Sequence, residues 1–298
     1  MSVDLENVSC AICGSHTTKP LYKKYNLFIS SCQKCGLVYA NPRLSKSEIW
    51  DRYSPNYFWQ EYLPSLGVQK GQYDLDFFDA RYGGMLRLIA SYSQPPGRLL
   101  EVGTGAGFFL KAAQRAGWDV AGIEVSDAGV DFAKTQLHLD VRQQAAEEIS
   151  FADNTFDVVV MFDVIEHLLD PQITILSLRR VLRDKGILII ATPNFKALSR
   201  LALGRDWAVL SPKEHLYYFT QKTLTNFLSK NRFDNIYFVK NFSDFGVFET
   251  MNPRYTHAPN SWRTKAYLKF VERLGSLVFR PIQNLGLGDT LLCVAQAC

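Results

Sequence analysis

The sequence predicts an α/β fold in which a mainly parallel sheet follows a small metal-binding module. Three observations lead to this prediction. A short apolar run passes into glycines at positions 103, 105 and 107 and then into a helical pattern. Further apolar runs alternate with helical patterns as far as the C-terminus, as in parallel sheets. Two C-x-x-C pairs stand within the first 36 residues.

The composition is that of a globular chain with a large core. Of 298 residues, 47% are hydrophobic, and five Trp and 20 Phe are among them. The first residues show no secretory signal, and no apolar run approaches the roughly 18 to 20 residues that span a bilayer. We therefore expect a cytoplasmic protein, in which paired cysteines indicate a metal site and not disulfides.

The two cysteine pairs have the spacing of a zinc ribbon. Each pair is followed by a glycine, which allows a tight turn, and 18 residues separate the pairs. A structural Zn²⁺ takes four ligands in a closed tetrahedron. Residues 1–45 are predicted to form this module, with Leu21–Ser30 and Leu37–Ala40 as its strands, and a set of buried free thiols is the alternative. The predicted ligands are Cys10, Cys13, Cys32 and Cys35.

Residues 46–75 are rich in aromatic side chains and contain prolines and glycines that break a long helix. This pattern predicts a packed connector and not a flexible linker. A second role, lining a substrate site, is equally compatible with it. A helical pattern follows from Leu75.

The glycine turn favours a positively charged ligand. The dinucleotide fingerprint is G-x-G-x-x-G, and here the third glycine comes one residue early. Glu101 stands two residues before the first glycine, where a carboxylate repels a pyrophosphate and attracts a cation. S-adenosylmethionine has no phosphate and carries a sulfonium and an ammonium group, so it suits acid-x-G-x-G-x-G better.

The next strands provide further candidate ligand contacts. Asp119–Glu124 is predicted to be a strand whose terminal carboxylate can accept hydrogen bonds from two ribose hydroxyls; a solvated strand end is the alternative for Glu124. A third strand is predicted at 140–142, and Asn154–Phe162 is predicted to be a buried central strand. The remaining strands are predicted at 187–191, 235–239 and 289–295.

Together these motifs resemble the class I S-adenosylmethionine-dependent methyltransferases, in particular the small-molecule branch that includes the ubiquinone-biosynthesis O-methyltransferases. The resemblance covers residues 76–298 and implies a seven-stranded Rossmann-like sheet. Family members usually have an acidic side chain where Ala145 stands, so adenine recognition is assigned to the neighbours of that residue. The implied cofactor-binding residues are Glu101, Gly103, Gly105, Gly107, Glu124, Val125, Ala146, Glu147 and Phe162.

Two histidines are candidate catalytic residues because they fall on segments expected at the carboxyl edge of the sheet, His167 and His215. His215 is the preferred general base, and a structural histidine bonded to the loop backbone is the alternative. Asp163, Glu166 and His167 have helical i, i+3, i+4 spacing, so the trio is also a candidate Mg²⁺ site. Turn capping and cofactor contacts explain the same three residues.

An insertion at about 241–288 separates the last two predicted strands. It contains an amphipathic helix over 262–280, which Pro281 is expected to end. Five basic residues and one acid give this helix a net charge of +4, which equals the formal charge of the whole chain. Three roles stay open: a solvated basic edge, contact with a membrane surface or lipid substrate, and nucleic-acid binding.

The sequence therefore predicts an enzyme that transfers a methyl group to oxygen or carbon of a small-molecule or lipid-linked acceptor. One alternative is a zinc-ribbon ribosomal RNA methyltransferase, which the balanced charge outside the basic helix disfavours. The other is a non-catalytic scaffold that binds the cofactor. The acceptor and the oligomeric state are not indicated by the sequence.

Overall fold

The computed structural model describes residues 4–50, 55–69, 71–240 and 262–298. Its N-terminal part is a four-cysteine ribbon with short strands, and the fourth strand of the ribbon sheet comes from much later in the chain. The N-terminal strands are Leu5–Glu6 (β1), Thr18–Lys24 (β2), Leu27–Cys32 (β3), Val38–Ala40 (β4) and Arg43–Leu44 (β5).

The predicted single strand at Leu21–Ser30 is wrong, because the chain reverses within it. Tyr25 and Asn26 both adopt left-handed backbone angles, with φ of 54° and 61°. Two such residues in succession form the tight turn that suits the twist of a β-hairpin. The ribbon therefore contains a β2–β3 hairpin, with β4 paired to β3.

The connector is helical and leads into a long helix. Its segments are Lys46–Trp50 (α1), Pro55–Tyr57 (α2), a π-helix at Phe58–Tyr62 and Leu63–Ser65 (α3). Leu75–Ala90 (α4) follows, and its first turn is capped by the Asp74 side chain, which accepts from the Asp76 N–H.

The predicted seven-stranded sheet is confirmed. In spatial order it runs β12-β13-β10-β9-β6-β7-β8, and only β13 is antiparallel to its neighbours. The strands after α4 are Arg98–Val102 (β6), Asp119–Glu124 (β7), Val141–Gln143 (β8), Phe156–Phe162 (β9), Leu182–Pro193 (β10), Tyr217–Tyr218 (β11, which joins the ribbon sheet), Phe233–Phe238 (β12) and Thr290–Ala297 (β13).

Helices cover both faces of this sheet. Successive residues of its central strands point to opposite faces, so Val158 and Val160 pack on one side and Val159 and Met161 on the other. Both faces are buried, which explains the continuous apolar runs in the sequence. The helices are Phe108–Arg115 (α5), Asp127–Thr135 (α6), Pro171–Val181 (α7), Leu198–Leu203 (α8), Gln221–Lys230 (α9) and Trp262–Asn284 (α10).

The prediction that Pro281 ends the last helix is wrong, since α10 continues through it to Asn284. Proline removes one backbone donor, and this far along the helix the loss affects only the final turn. The helix ends instead before Gly286, which has a left-handed φ of 70°. The first part of the predicted insertion, residues 241–261, lies outside the described residues. In the part of the chain that is described, no helix has the length and hydropathy needed to cross a bilayer.

Candidate active site

A cavity of about 630 Å³ opens at the carboxyl ends of β6, β7 and β9. This volume is within the range of small-molecule sites, and the position is where open α/β sheets bind their ligands. Eight of the nine predicted cofactor residues line it: Glu101, Gly103, Gly105, Glu124, Val125, Ala146, Glu147 and Phe162.

Gly107 is the exception, since it is not among the residues that line the cavity. It precedes α5 with a left-handed φ of 89°. A Cβ atom on it would lie 2.8 Å from Cδ1 of Leu139 and 3.2 Å from Cβ of Ala133. The backbone angle and the packing behind the turn thus explain why a glycine stands here.

The glycine turn is held against β7 by backbone hydrogen bonds. The N–H groups of Gly103 and Thr104 both donate to the carbonyl of Ile123, at 2.9 and 3.1 Å. A Cβ atom on Gly105 would lie 2.0 Å from the Tyr62 hydroxyl. Only a glycine at this position lets the connector close over the turn.

Glu101 is a buried carboxylate at the end of β6. Its side chain is 5% exposed overall, and its Oε2 has no hydrogen-bond partner among the described residues. Burial and the nearby charge of Glu124 raise its pKa well above the usual range, while a hydrogen bond from the Leu110 backbone opposes the shift. A cationic or hydrogen-bond-donating ligand would satisfy this oxygen.

Glu124 ends β7 and is bonded to three backbone N–H groups. Its Oε2 accepts from Gly105 at 2.7 Å, and its Oε1 accepts from Val125 and Ser126 at 2.8 Å each. Burial raises its pKa, and these bonds oppose that shift. The carboxylate therefore also fixes the glycine turn, a role that the sequence did not reveal. Oε1 already accepts two hydrogen bonds, whereas Oε2 keeps a further lone pair for a ligand hydroxyl.

Glu147 lines the same cavity as the glycine turn, and its side chain accepts hydrogen bonds from the loop after β9. Its Oε1 accepts from the backbone N–H of Leu169 at 3.1 Å and from that of Asp170 at 3.4 Å. This contact joins the predicted adenine-side segment to the segment that carries His167.

The two predicted histidines face each other. Their ring centroids are 4.6 Å apart and the rings are inclined at 65°. Nδ1 of His167 bonds to the Glu214 carbonyl, and Nδ1 of His215 bonds to the Val209 carbonyl, both at 2.8 Å. A carbonyl only accepts, so each Nδ1 carries the proton of its hydrogen bond, and this bond fixes the orientation of each ring.

The predicted trio of Asp163, Glu166 and His167 is not brought together as expected. Asp163 is exposed and has a left-handed φ of 52°, so the segment forms an open turn and no helical face. The turn is held from outside, since the Glu166 carbonyl accepts from the N–H groups of Leu216 and Tyr217. His215 takes the place of Asp163: ligand atoms of Glu166, His167 and His215 lie within 4.8 Å of one another.

Glu166 is 1% exposed, and its two oxygens differ. Oε2 accepts from the Thr192 hydroxyl at 2.9 Å, whereas Oε1 has no hydrogen-bond partner in the described part of the chain. Burial and the charge of Asp163 raise its pKa well above the usual range. Protonation of the carboxyl group or binding of a cation would each lower the free-energy cost of burying its negative charge.

The four predicted zinc ligands form one cluster. Their sulfurs lie within 4.8 Å of one another; Sγ of Cys10 is 3.4 Å from that of Cys35, and Sγ of Cys13 is 3.5 Å from that of Cys32. Zn–S bonds of about 2.3 Å in a tetrahedron place sulfurs about 3.8 Å apart. All four thiols are free of disulfides. The number, type and proximity of these ligands therefore fit a structural Zn²⁺.

Several cavity residues were not singled out from the sequence. The aromatic density of 46–75 was the signal for the connector residues, the helical pattern from Leu75 for Tyr82, and the segment around His215 for Glu214. The contact of each with the cavity depends on long-range packing. The added lining residues include Tyr57, Phe58, Tyr62, Arg81, Tyr82, Val209 and Glu214.

Comparisons with known proteins agree on one family. A family model described as a methyltransferase domain matches residues 78–237, more than half of the chain. Ubiquinone biosynthesis O-methyltransferase of Bartonella tribocorum is 27% identical over 45% of this chain and 59% of its own length. The corresponding protein of Mesorhizobium japonicum is 31% identical over 38% and 48%. The chain thus spans about half the length of these relatives.

Solved structures agree on the fold. A crystal structure of an S-adenosylmethionine-dependent methyltransferase from Archaeoglobus fulgidus aligns with a TM-score of 0.50, at 17% identity, over 75% of this chain and 94% of that one. At this identity the likeness concerns the fold alone.

Proposed function

Because the chain belongs to the class I S-adenosylmethionine-dependent methyltransferases, we propose that it methylates oxygen or carbon of a small-molecule acceptor. One observation carries the proposal: a single cavity is bordered on one side by the buried carboxylates of Glu101 and Glu124 and on the other by the facing rings of His167 and His215. Cofactor and acceptor would bind at these two ends.

On the cofactor side, the unpaired Oε2 of Glu101 suits the ammonium group of S-adenosylmethionine. The remaining lone pair on Oε2 of Glu124 suits a ribose hydroxyl, with Val125 beside it. The adenine would lie near Ala146, Glu147 and Phe162. When bound, the sulfonium supplies an activated methyl group, so the protein mainly has to align the acceptor atom about 3 Å from it.

On the acceptor side, we assign the general base to Nε2 of His215. Its Nδ1–H donates to the Val209 carbonyl, which fixes the ring, and Nε2 would take the proton from an acceptor hydroxyl. The His167 ring, fixed in the same way by Glu214, would orient the acceptor.

A divalent cation is the second possibility for this end of the cavity. The ligand set is Glu166, His167 and His215, in place of the trio that included Asp163. Two imidazoles and one carboxylate suit Mn²⁺, Fe²⁺ or Zn²⁺ better than Mg²⁺, which prefers oxygen ligands. The unpaired Oε1 of Glu166 supports this alternative.

Labelled S-adenosylmethionine incubated with cell metabolite extracts will identify the acceptor as the compound that gains label. With that acceptor, we expect His215→Ala to lower kcat by about 10² to 10⁴ while cofactor affinity is unchanged and chelators have no effect. His138→Asn is the control, because His138 is exposed and does not line the cavity.

Loss of activity with a chelator and recovery with Mn²⁺ or Mg²⁺ would replace the base with the cation. Label in ribosomal RNA instead of a metabolite would support the RNA alternative. Cofactor binding without transfer to any compound would support the scaffold alternative and contradict the proposal.

We also propose that Cys10, Cys13, Cys32 and Cys35 hold one structural Zn²⁺. The distances between their sulfurs support this assignment. Elemental analysis of unoxidised protein should find one zinc per chain, and protein without zinc would contradict it.

For the basic helix α10, we propose contact with an anionic lipid surface, which favours a lipid-linked acceptor. Trp262 is 74% and Leu277 is 73% exposed, and Lys265, Lys269 and Arg273 are exposed on the same helix. Exposed apolar side chains beside cations are typical of interfacial helices.

Sedimentation with vesicles that contain anionic lipid should pellet the protein, and neutral vesicles should not. Trp262→Ala and Lys269→Glu should each weaken binding several-fold, whereas Lys222→Glu, a charge change on α9, should have a smaller effect. Equal binding to neutral vesicles, or none to either, would contradict the proposal.

A further inference from the structure

The zinc ribbon shares a sheet with the segment that carries His215. Its fourth strand is β11, which begins two residues after His215 and pairs with β4, Tyr217 with Tyr39 and Tyr218 with Val38. The Ala40 N–H also donates to the Leu216 carbonyl at 2.8 Å. β4 begins three residues after the cysteine ligand Cys35, so the cluster and the histidine segment are joined by a short path.

The same strand holds the turn that carries the other histidine. The Glu166 carbonyl accepts from Leu216 N–H at 2.7 Å and from Tyr217 N–H at 3.1 Å. Backbone hydrogen bonds therefore join the ribbon to the His215 segment, and they join that segment in turn to the His167 turn. A two-residue strand such as β11 has little stability without its neighbours.

Arg43 forms a third link between the ribbon and the site. It is 8% exposed, and its Nη1 donates to the Leu169 carbonyl at 2.8 Å and to the Tyr217 hydroxyl at 3.4 Å. Its Nε pairs with Glu6 of β1 at 2.7 Å. The guanidinium thus joins the N-terminal strands to both segments that flank the histidine pair.

We propose that the zinc ribbon positions the His167–His215 pair, with Arg43 as a positioning residue, so that metal occupancy sets the spacing of the two imidazoles. This inference rests on the proposed function of those histidines. Its physical basis is that the cluster fixes the start of β4, β4 fixes β11, and β11 fixes both histidine segments. Loss of zinc should then impair methyl transfer while leaving the glycine turn and cofactor binding intact.

The test compares the histidine rings in zinc-loaded and zinc-stripped protein by NMR of ¹³C-labelled histidine, with His167→Asn and His215→Asn used for assignment. We expect the Hε1 signals of His167 and His215 to shift or broaden on zinc removal while that of His138 stays. Cofactor affinity should change less than about twofold, and kcat should fall by about 10- to 100-fold, the loss expected for misplacement near 1 Å.

Arg43→Met tests the link without removing metal. We expect it to move the same two signals and to lower kcat with one zinc still bound and with cofactor affinity kept. Lys230→Met is the matched control, because Lys230 also bonds to the ribbon, through the Ile12 carbonyl at 3.1 Å, but on the α9 side.

Unchanged His167 and His215 signals in folded, zinc-stripped protein would overturn the inference, as would equal effects of Lys230→Met and Arg43→Met. If stripped protein does not stay folded, the comparison of Arg43→Met with Lys230→Met decides alone. The NMR measurement needs no acceptor, so failure to find methyl transfer would contradict the proposed function without deciding this inference.

Discussion

Glu101 and Glu124 are two carboxylates buried side by side at the edge of the central sheet. Burial raises the pKa of both, and the charge of Glu124 raises that of Glu101 further; of the two, only Glu124 has backbone donors for both of its oxygens. Such a pair destabilises the free protein at neutral pH and becomes favourable when a cation binds. The arrangement therefore costs stability in the free protein, and a bound cation would offset that cost.

We therefore expect Glu101→Gln to stabilise the free protein at neutral pH by about 1–3 kcal/mol, because a neutral amide has a smaller desolvation penalty. Between the ordinary carboxyl value of 4.5 and its raised pKa, folded Glu101 holds a proton that the unfolded chain has released. Stability of the original protein should thus fall as pH rises through this window, by up to roughly 1.4 kcal/mol per pH unit, and the variant should lose that dependence.

The same variant should bind S-adenosylmethionine at least about tenfold more weakly, since it lacks the charge that faces the ammonium. Thermal unfolding across pH and calorimetry measure the two effects. Glu148→Gln, on an exposed neighbour of the cavity, is the control. A variant with the original pH dependence and the original affinity would show that Glu101 is neither strained nor a ligand contact.

At the residue scale, the sequence indicated which residue types stand near the site better than it indicated their local backbone conformation. Glu101 and Glu124 could be predicted because each follows from a strand end next to a recognisable turn. The place of Gly107 outside the cavity lining and the open turn at Asp163 could not be predicted, because packing against Leu139 and hydrogen bonds from Leu216 and Tyr217 to the Glu166 carbonyl set the local backbone. The His167–His215 contact joins residues 48 positions apart, and no local pattern encodes it.

At the scale of elements, the connector covers the glycine turn. Tyr62 stacks on Phe58 with centroids 5.6 Å apart, and its hydroxyl lies over Gly105. Burial, Tyr82 and Glu124 raise the pKa of Tyr62 well above its usual range, while a hydrogen bond with the Ala106 backbone opposes the shift. The connector is thus one wall of the cavity, at the glycine turn.

We expect Tyr62→Ala to weaken S-adenosylmethionine binding by about tenfold and to speed its dissociation, because the cavity loses a wall. Tyr62→Phe should have a smaller effect, since the ring remains. Tyr73→Ala is the control: Tyr73 packs on Phe108 and Phe132 but does not line the cavity, so stability should fall while affinity stays. Stopped-flow and calorimetry measure these effects, and equal losses in both alanine variants would contradict a specific role for Tyr62.

The strands of the central sheet could be predicted because each is a buried apolar run between turn residues, and all seven lie close to their expected positions. The errors lie where local signals are weak or compete. Tyr25 and Asn26 do not form the Asn-Gly pair that usually marks a hairpin, and Pro281 stands so near the helix end that it does not stop it.

At the scale of the whole molecule, the ribbon and the catalytic sheet share one apolar core. Cys10, Leu37 and Tyr39 of the ribbon are in the same buried cluster as Leu100 and Met161 of the central strands. The predicted boundary at residue 45 therefore does not divide the core. A second cluster fills the opposite face of the sheet with side chains from α4, α5 and α6.

This shared core changes what zinc removal should do. A module with its own core would melt alone and leave the sheet folded, whereas the ribbon contributes β4 and several buried side chains to the packing of α9 and β11. We expect chelation, or Cys10→Ser, to lower the melting temperature of the whole chain by roughly 10 °C in one cooperative transition. Cys298→Ser, an exposed cysteine outside the cluster, is the control.

Calorimetry at fixed zinc concentration measures this effect, since bound metal stabilises the folded state by mass action. Near-ultraviolet circular dichroism should follow the same transition. The ring centroids of Tyr39, in the ribbon, and Tyr217 are 6.4 Å apart, so the signal of these rings depends on the shared packing. Two separate transitions, with the larger one unmoved by chelator, would contradict the prediction and would mean that the ribbon cluster is dispensable for the sheet. A single shifted transition would instead mean that the metal and the methyltransferase sheet fold as one unit.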